Sequence, residues 1–357
     1  VMTGEQYTRW FEELGSGDVS EVGGKNASLG EMIRTLKKKG IAVPDGFATT
    51  AKAYREFVEA NQLSGIIRDH IEYMKSNQST LNSTGKAIRR AFLRGRFPEN
   101  IARNIRQRYS ELCERYNTED LDVAARSSAT AEDLPEASFA GQQETFLNVT
   151  GEDELLDACR RCYASLFTDR AISYREAQGF DHLKVALSVG VQKMVRSDKA
   201  GAGVMFTIDT ETGFPDVVVI NASWGLGENV VQGTVTPDEY RVFKPLLGRD
   251  QYAPIIEKLL GEKERKMIYA WGGSQKTKNI ETPRDQRRSF TLTDEEILTL
   301  ARWAAAIEEH YQKPMDIEWA KDGETDDLFI VQARPETVQS RKEAAMLKSY
   351  QLKEKGK

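Results

Sequence analysis

Two short segments late in the sequence hold the residues best suited to chemistry. They are Met315-Asp316-Ile317-Glu318-Trp319 and Phe329-Ile330-Val331-Gln332-Ala333-Arg334-Pro335. Each reads as a β-strand, and Lys321-Asp322-Gly323 between them is a turn signal. Side chains alternate along a strand, so Asp316 and Glu318 share one face of the first, and Gln332 and Arg334 one face of the second. If those faces align, two carboxylates, an amide oxygen and a guanidinium project from one patch. That set suits a magnesium–polyphosphate, because Mg2+ takes carboxylate and amide oxygens while Arg grips phosphate through its fork. The same residues also suit a half-exposed hairpin whose polar face meets water.

Three other places offer contacts to such a ligand. Lys25 follows Gly23-Gly24 and precedes a helical pattern, so backbone N–H groups and an ammonium could meet an anion there. Arg126-Ser127-Ser128-Ala129-Thr130 ends a strand and opens a long loop to Phe139-Ala140-Gly141-Gln142-Gln143-Glu144-Thr145, whose small residues let backbone lie against phosphates. Gln192-Lys193-Met194-Val195 ends another strand, where a backbone edge plus Gln192 could read adenine. Each place has a plainer alternative: a solvated lysine in a helix-start turn, an ordinary connecting loop, and a core strand followed by a surface polar residue.

Other chemistries are disfavoured. Gly85-Lys86 is followed by Ala87, so no P-loop is formed, and Gly225-Leu226-Gly227 meets Val230 where a dinucleotide fingerprint needs glycine. The histidines are His70, His182 and His310, and none has neighbours that suggest a triad or a zinc protease. Cys159 and Cys162 form a C-x-x-C inside a helical stretch without a second pair, which predicts a buried or idle thiol pair rather than a zinc site.

These residues must be positioned by a chain of 357 residues, long enough for two or three compact units. Its 39% hydrophobic and 29% charged content describes an ordinary globular protein, and its net charge of -5 gives no basic field for nucleic acid. No apolar run approaches the ~20 residues that span a bilayer, and the N-terminus lacks a signal-type apolar stretch, so a cytoplasmic location is expected. The pattern predicts a helix with Leu29, Met32, Ile33 and Leu36 on one face, stopped by Lys37-Lys38-Lys39-Gly40. It then predicts a strand and turn over 41–47, helices as far as Tyr116, strands at 121–126 and 145–149, and a helical block over 154–178. Strands follow at 184–195, 203–209, 217–221 and 240–243, with one more, 266–270, in the charged stretch 248–288. Thr293-Asp294-Glu295-Glu296 is a capping box for a last helix, and from Ser340 onward the sequence reads as a helix or linker.

The ordered strings "GGKNASLGEM", "VPDGFATTAKAY", "ARSSATAEDLPEASFAGQQETFLNV", "VQKMV", "SWGLGENVVQG", "PMDIEW" and "IVQARPET" cover about residues 4 to 340. They resemble the N-terminal ATP-binding domain of the phosphoenolpyruvate synthase family, a domain shared with pyruvate phosphate dikinase and rifampin phosphotransferase. The resemblance implies an α+β ATP-grasp fold over 1–340, in which two lobes clamp Mg-ATP, with 341–357 a linker. By motif, Lys25 and Arg126 would bind phosphates, Gly141 and Thr145 would line the phosphate loop, and Gln192 would sit near adenine. Glu318 and Gln332 would hold Mg2+ and, with Arg334, the phosphates, while Asp316 would be an additional or outer metal contact.

The family passes the phosphoryl group to a histidine on a swivelling domain, then to pyruvate on a C-terminal barrel. No histidine here has that context, so an excised domain, or one served by partner domains in trans, is expected, and a homo-oligomer is possible. The overall family reaction converts ATP, pyruvate and water to AMP, phosphoenolpyruvate and phosphate. A rifamycin or glucan acceptor, or a non-catalytic ATP-sensing module, is the rival reading. Catalysis would rest on Lys25, Arg126 and Arg334 offsetting charge on the transferred group.

Overall fold

The computed structural model describes residues 7–130, 144–272 and 274–337. The expected linker at 341–357 and Gly141 in the expected phosphate loop lie outside them. The first half opens with β1 (Thr8–Trp10), α1 (Val19–Leu36) and β2 (Gly46–Thr49), followed by α2 (Ala51–Ala60), α3 (Leu63–Lys75), α4 (Leu81–Arg94) and α5 (Glu99–Arg115). Then come β3 (Val123–Ala129), β4 (Thr145–Val149), α6 (Glu152–Ala164), α7 (Asp169–Gln178) and β5 (Leu187–Lys193). The strands form an antiparallel sheet in the order β1-β2-β5-β3-β4. One face of it is covered by helices through a core rich in aromatics, where Tyr54, Phe57, Phe92, Tyr163 and Phe167 are buried against one another.

The second half contains β6 (Gly201–Phe206), β7 (Val217–Trp224), α8 (Glu228–Val231), β8 (Asp238–Phe243), β9 (Ile255–Leu259), β10 (Arg265–Tyr269) and β11 (Thr277–Glu281). It continues with α9 (Arg284–Arg287), α10 (Asp294–Tyr311), β12 (Met315–Lys321) and β13 (Leu328–Pro335). A six-stranded antiparallel sheet runs β13-β12-β6-β7-β8-β9, and β10 pairs with β11 in a separate hairpin. Thr293 caps α10 through its side chain and Glu296 closes the capping box, as the sequence predicts. Ile297, Leu300, Ala304 and Ile307 of α10 meet Ile220, Tyr240 and Val242 of the sheet in a second core. α1 packs into that same core through Val22, Leu29, Met32 and Leu36, yet it also lies against β3 and β5 of the first sheet. It therefore ties the two lobes together.

Two sequence expectations need correction. The strand read at 41–47 is displaced to Gly46–Thr49; Pro44 has no N–H to give a ladder, so pairing starts beyond it. The stretch 248–288 holds three strands where one was expected. β9 and β11 are largely exposed along their length, so they carry no apolar alternation for a sequence reading to find.

Candidate active site

The β12–β13 register aligns the polar faces of the hairpin. Asp316 lies opposite Arg334 and Glu318 opposite Gln332, and beyond Glu318 the pairing shifts so that Trp319 meets Ile330. This bulge leaves Val331 extra on β13 and changes which face its residues occupy. Without it, Gln332 could not share a face with Glu318 while Phe329 lies opposite Ala320. Arg334 Nε donates to Asp316 Oδ2 at 2.9 Å, so these two members of the patch are bonded to each other. Burial raises the Asp316 pKa from its ordinary value, although the Arg334 guanidinium pulls it back.

Lys25 reaches this hairpin from α1. The helix is broken at Gly23, whose φ of 74° and ψ of 162° are not helical, and it restarts with Lys25 in its first turn. A Cβ at Gly23 would run into the Ser128 hydroxyl and the carbonyl oxygens of Ser128 and Ala129, so only glycine lets α1 approach β3 this closely. Asn26 then pins the turn by donating to Val22 O at 3.1 Å and to Ser188 Oγ on β5 at 2.9 Å. Ser28 Oγ donates to Ala333 O on β13 at 3.1 Å. Thus Lys25 is held between the sheets. Burial lowers its pKa to about 8; Glu318 opposes that shift, while Arg334 and Arg126 reinforce it. A cation so perturbed, with a carboxylate and two guanidinium groups acting on it, marks a concentrated charge site.

Arg126 comes from β3, opposite Gly190 of β5 on one side and Thr145 of β4 on the other. Alternation puts Ala124, Arg126 and Ser128 on the face turned away from the helical core. Ser128 Oγ on that face is buried and has no hydrogen-bond partner among the described residues. Arg126 Nη1 donates to Gln192 Oε1 at 2.7 Å, and Gln192 Nε2 donates to Pro44 O at 3.3 Å. Gln192 is thus buried and bonded at both ends of its amide, while it also lines the cleft.

Arg126, Gln192 and Glu318 line a cleft where the chain crosses from β5 to β6. Its apolar wall is formed by Ala124, Leu147, Met194 and Leu226, with Tyr269 and Met267 of the β10–β11 hairpin packed behind them. The cleft is thus apolar at the crossing segment and charged toward the β12–β13 hairpin. Lys25, Gln332 and Arg334 lie outside this lining but cluster with Glu318 at the charged end. Thr145 sits half-buried beside Arg126 at the start of β4.

Sequence reasoning missed Glu228. It opens α8, lines the cleft, and has its pKa raised by burial; Arg126 pulls it down and Glu318 pushes it up. The string "SWGLGENVVQG" contains it, but nothing in that run separates it from ordinary turn residues. Among the described residues no group of three His, Cys, Asp or Glu is placed to cage a metal. Glu318, Gln332 and Glu228 supply only oxygen donors, which fits Mg2+ held by one or two carboxylates together with ligand phosphates.

Cys159 and Cys162 are free and fully buried, and burial pushes the Cys159 thiol up to about 12. His182 bonds to Arg175 and Glu176, and His310 to Glu31, all away from the cleft. Among the described residues no helix is long and apolar enough to cross a membrane.

Two lobes built on separate sheets, with a half-apolar, half-charged cleft at their junction, define an α+β protein of the ATP-grasp class. A profile of the family described as "Pyruvate phosphate dikinase, AMP/ATP-binding domain" matches residues 19–354, and the chain belongs to that family. It is 57% identical to a phosphoenolpyruvate synthase of Synechocystis over 97% of this chain and 43% of the relative. A phosphoenolpyruvate synthase of Aquifex aeolicus is 54% identical over 96% of this chain and 41% of the relative. That of Escherichia coli is 50% identical over 98% and 44%. The chain therefore spans less than half the length of these curated relatives.

Proposed function

We propose that this chain is the nucleotide-binding part of a phosphoenolpyruvate synthase, binding Mg-ATP in the interlobe cleft and giving a phosphoryl group to a histidine on another domain. The observation that carries this reading is the convergence of Lys25, Arg126 and Arg334 on Glu318 at one end of a cleft whose other end is apolar. The names and lengths of the relatives support it further.

In this reading the adenine rests against Ala124, Leu147, Met194 and Leu226, and the phosphates extend toward the β12–β13 hairpin. Glu318 and Gln332 would hold Mg2+, which supplies neutralisation of phosphate charge. Arg334, steadied by Asp316, and Arg126, steadied by Gln192, present fixed guanidinium groups to the phosphate oxygens. Lys25 adds an ammonium between them. Thr145, next to Arg126, and Gly141, in the connecting loop outside the described residues, would complete the phosphate loop. Catalysis then rests on positioning and charge compensation for an in-line displacement, with little covalent work for the protein.

The overall conversion of ATP, pyruvate and water to AMP, phosphoenolpyruvate and phosphate would need a swivelling phosphohistidine domain and a pyruvate-binding barrel. The test is to add a phosphohistidine domain to this chain with Mg-ATP and measure acid-labile phosphate on the histidine. ATP-dependent labelling is expected; binding without labelling would reduce the chain to a nucleotide-sensing module.

A further inference from the structure

Gln192 is bonded at both ends of its side-chain amide. On β5 it lies opposite Ala124, which puts it diagonal to Arg126 on the cleft face of the sheet. Its Oε1 accepts from Arg126 Nη1 at 2.7 Å and its Nε2 donates to Pro44 O at 3.3 Å, and the residue is 2% exposed. The Pro44 carbonyl fixes which end of the amide faces Arg126, since a flipped amide would set N–H against guanidinium and oxygen against oxygen. Arg126 itself is only part-buried and has no ion pair with a described carboxylate.

We propose that Gln192 is a positioning residue: it aims the Arg126 guanidinium at the nucleotide's phosphates, and it does not read the adenine base. Its neutrality is part of the role. An amide oxygen orients the guanidinium without cancelling its charge, so that the charge stays available to phosphate. A carboxylate at the same place would form a buried ion pair and compete with the ligand. The inference rests on the nucleotide-binding reading above.

The full chain is tested with two ligands, Mg-ATP and adenosine, by calorimetry and ligand-observed NMR, comparing wild type with Gln192→Leu and Gln192→Glu. A base-reading role weakens both ligands by the same factor. A positioning role weakens ATP about tenfold or more and leaves adenosine unchanged, since adenosine has no phosphate for Arg126 to meet. Unchanged adenosine binding also certifies that the variant is folded. Gln192→Glu, with nearly the same shape, is expected to weaken ATP at least as much as Gln192→Leu. Combining Gln192→Leu with Arg126→Met should add little to Arg126→Met alone, whereas additive losses would show that Gln192 works independently. Equal loss of both ligands, or no loss of ATP affinity in either variant, overturns the proposal. Failure of wild type to bind ATP at all would instead remove the nucleotide site itself.

Discussion

Glu318 and Gln332 stand directly opposite each other across β12 and β13, immediately before a register shift that turns Trp319 toward Ile330. The pair belongs to the run in which Asp316, Ile317 and Glu318 face Arg334, Ala333 and Gln332 in one continuous register. Gln332→Leu would remove the amide oxygen from that pair while leaving the ladder in register. Loss of Mg-dependent ATP binding in such a variant, with the fold retained by circular dichroism, is the expected outcome.

Arg334 depends on Asp316 for its direction. Asp316→Asn keeps the shape but removes the charge-assisted contact, so ATP affinity should fall by about 1–2 kcal/mol, measured by calorimetry. Arg334→Met should cost more, because the phosphate-facing cation itself is gone. Equal affinity in both variants and wild type would exclude a phosphate role for this pair.

Lys25 gives a pH signature. Burial lowers its pKa to about 8, so the free protein loses this charge as pH rises through that value. ATP affinity should therefore be full below pH 8 and decline above it, by an amount absent from Lys25→Met. A flat profile from pH 7 to 9.5 in wild type would mean that the ammonium does not meet the ligand.

The helical lobe carries its own pH dependence. His182 accepts from Arg175 Nε at 2.9 Å and bonds through Nε2 to Glu176 at 2.7 Å, while Lys75 lies 3.3 Å from the same glutamate. Burial lowers the His182 pKa below its ordinary 6.5, against the pull of Glu176. The unfolded chain then binds a proton that the folded one refuses, so stability falls as pH drops below about 6.5. Urea midpoints between pH 7.5 and 5 should show that fall, and His182→Gln should reduce it.

In the other lobe, Lys263 and Asp238 form a fully buried pair at 2.5 Å, and Asp238 also accepts from Thr291 and Gly261 backbone N–H groups. Lys263→Met would strand the carboxylate in the core. A loss of about 3–5 kcal/mol in unfolding free energy is expected from denaturant titration.

Much of the site was legible in the sequence because strands alternate. Asp316, Glu318, Gln332 and Arg334 could be placed on common faces from spacing alone, and the coordinates align those faces. The bulge that follows Glu318 left no trace in residue types. Lys25 was readable from its glycines, but the reason for Gly23, the close approach of Ser128, is a long-range contact that no local pattern encodes. Glu228 was invisible for the same cause: its carboxyl is singular only through the burial and the neighbours, Arg126 and Glu318, that folding brings to it. Gln192 shows the opposite limit. Its position at a strand end suggested contact with base, and its hydrogen bonds to Arg126 and Pro44, from segments far apart in sequence, could not be read there.

The central claim is that the oxygen donors of the β12–β13 hairpin and the cations of the first lobe meet one magnesium–nucleotide. Calorimetry of Mg-ATP with wild type and Glu318→Ala tests it most directly. Wild type should bind Mg-ATP more tightly than ATP in the presence of chelator, and Glu318→Ala should lose that difference while remaining folded. Undiminished Mg-dependent binding by Glu318→Ala would contradict the account.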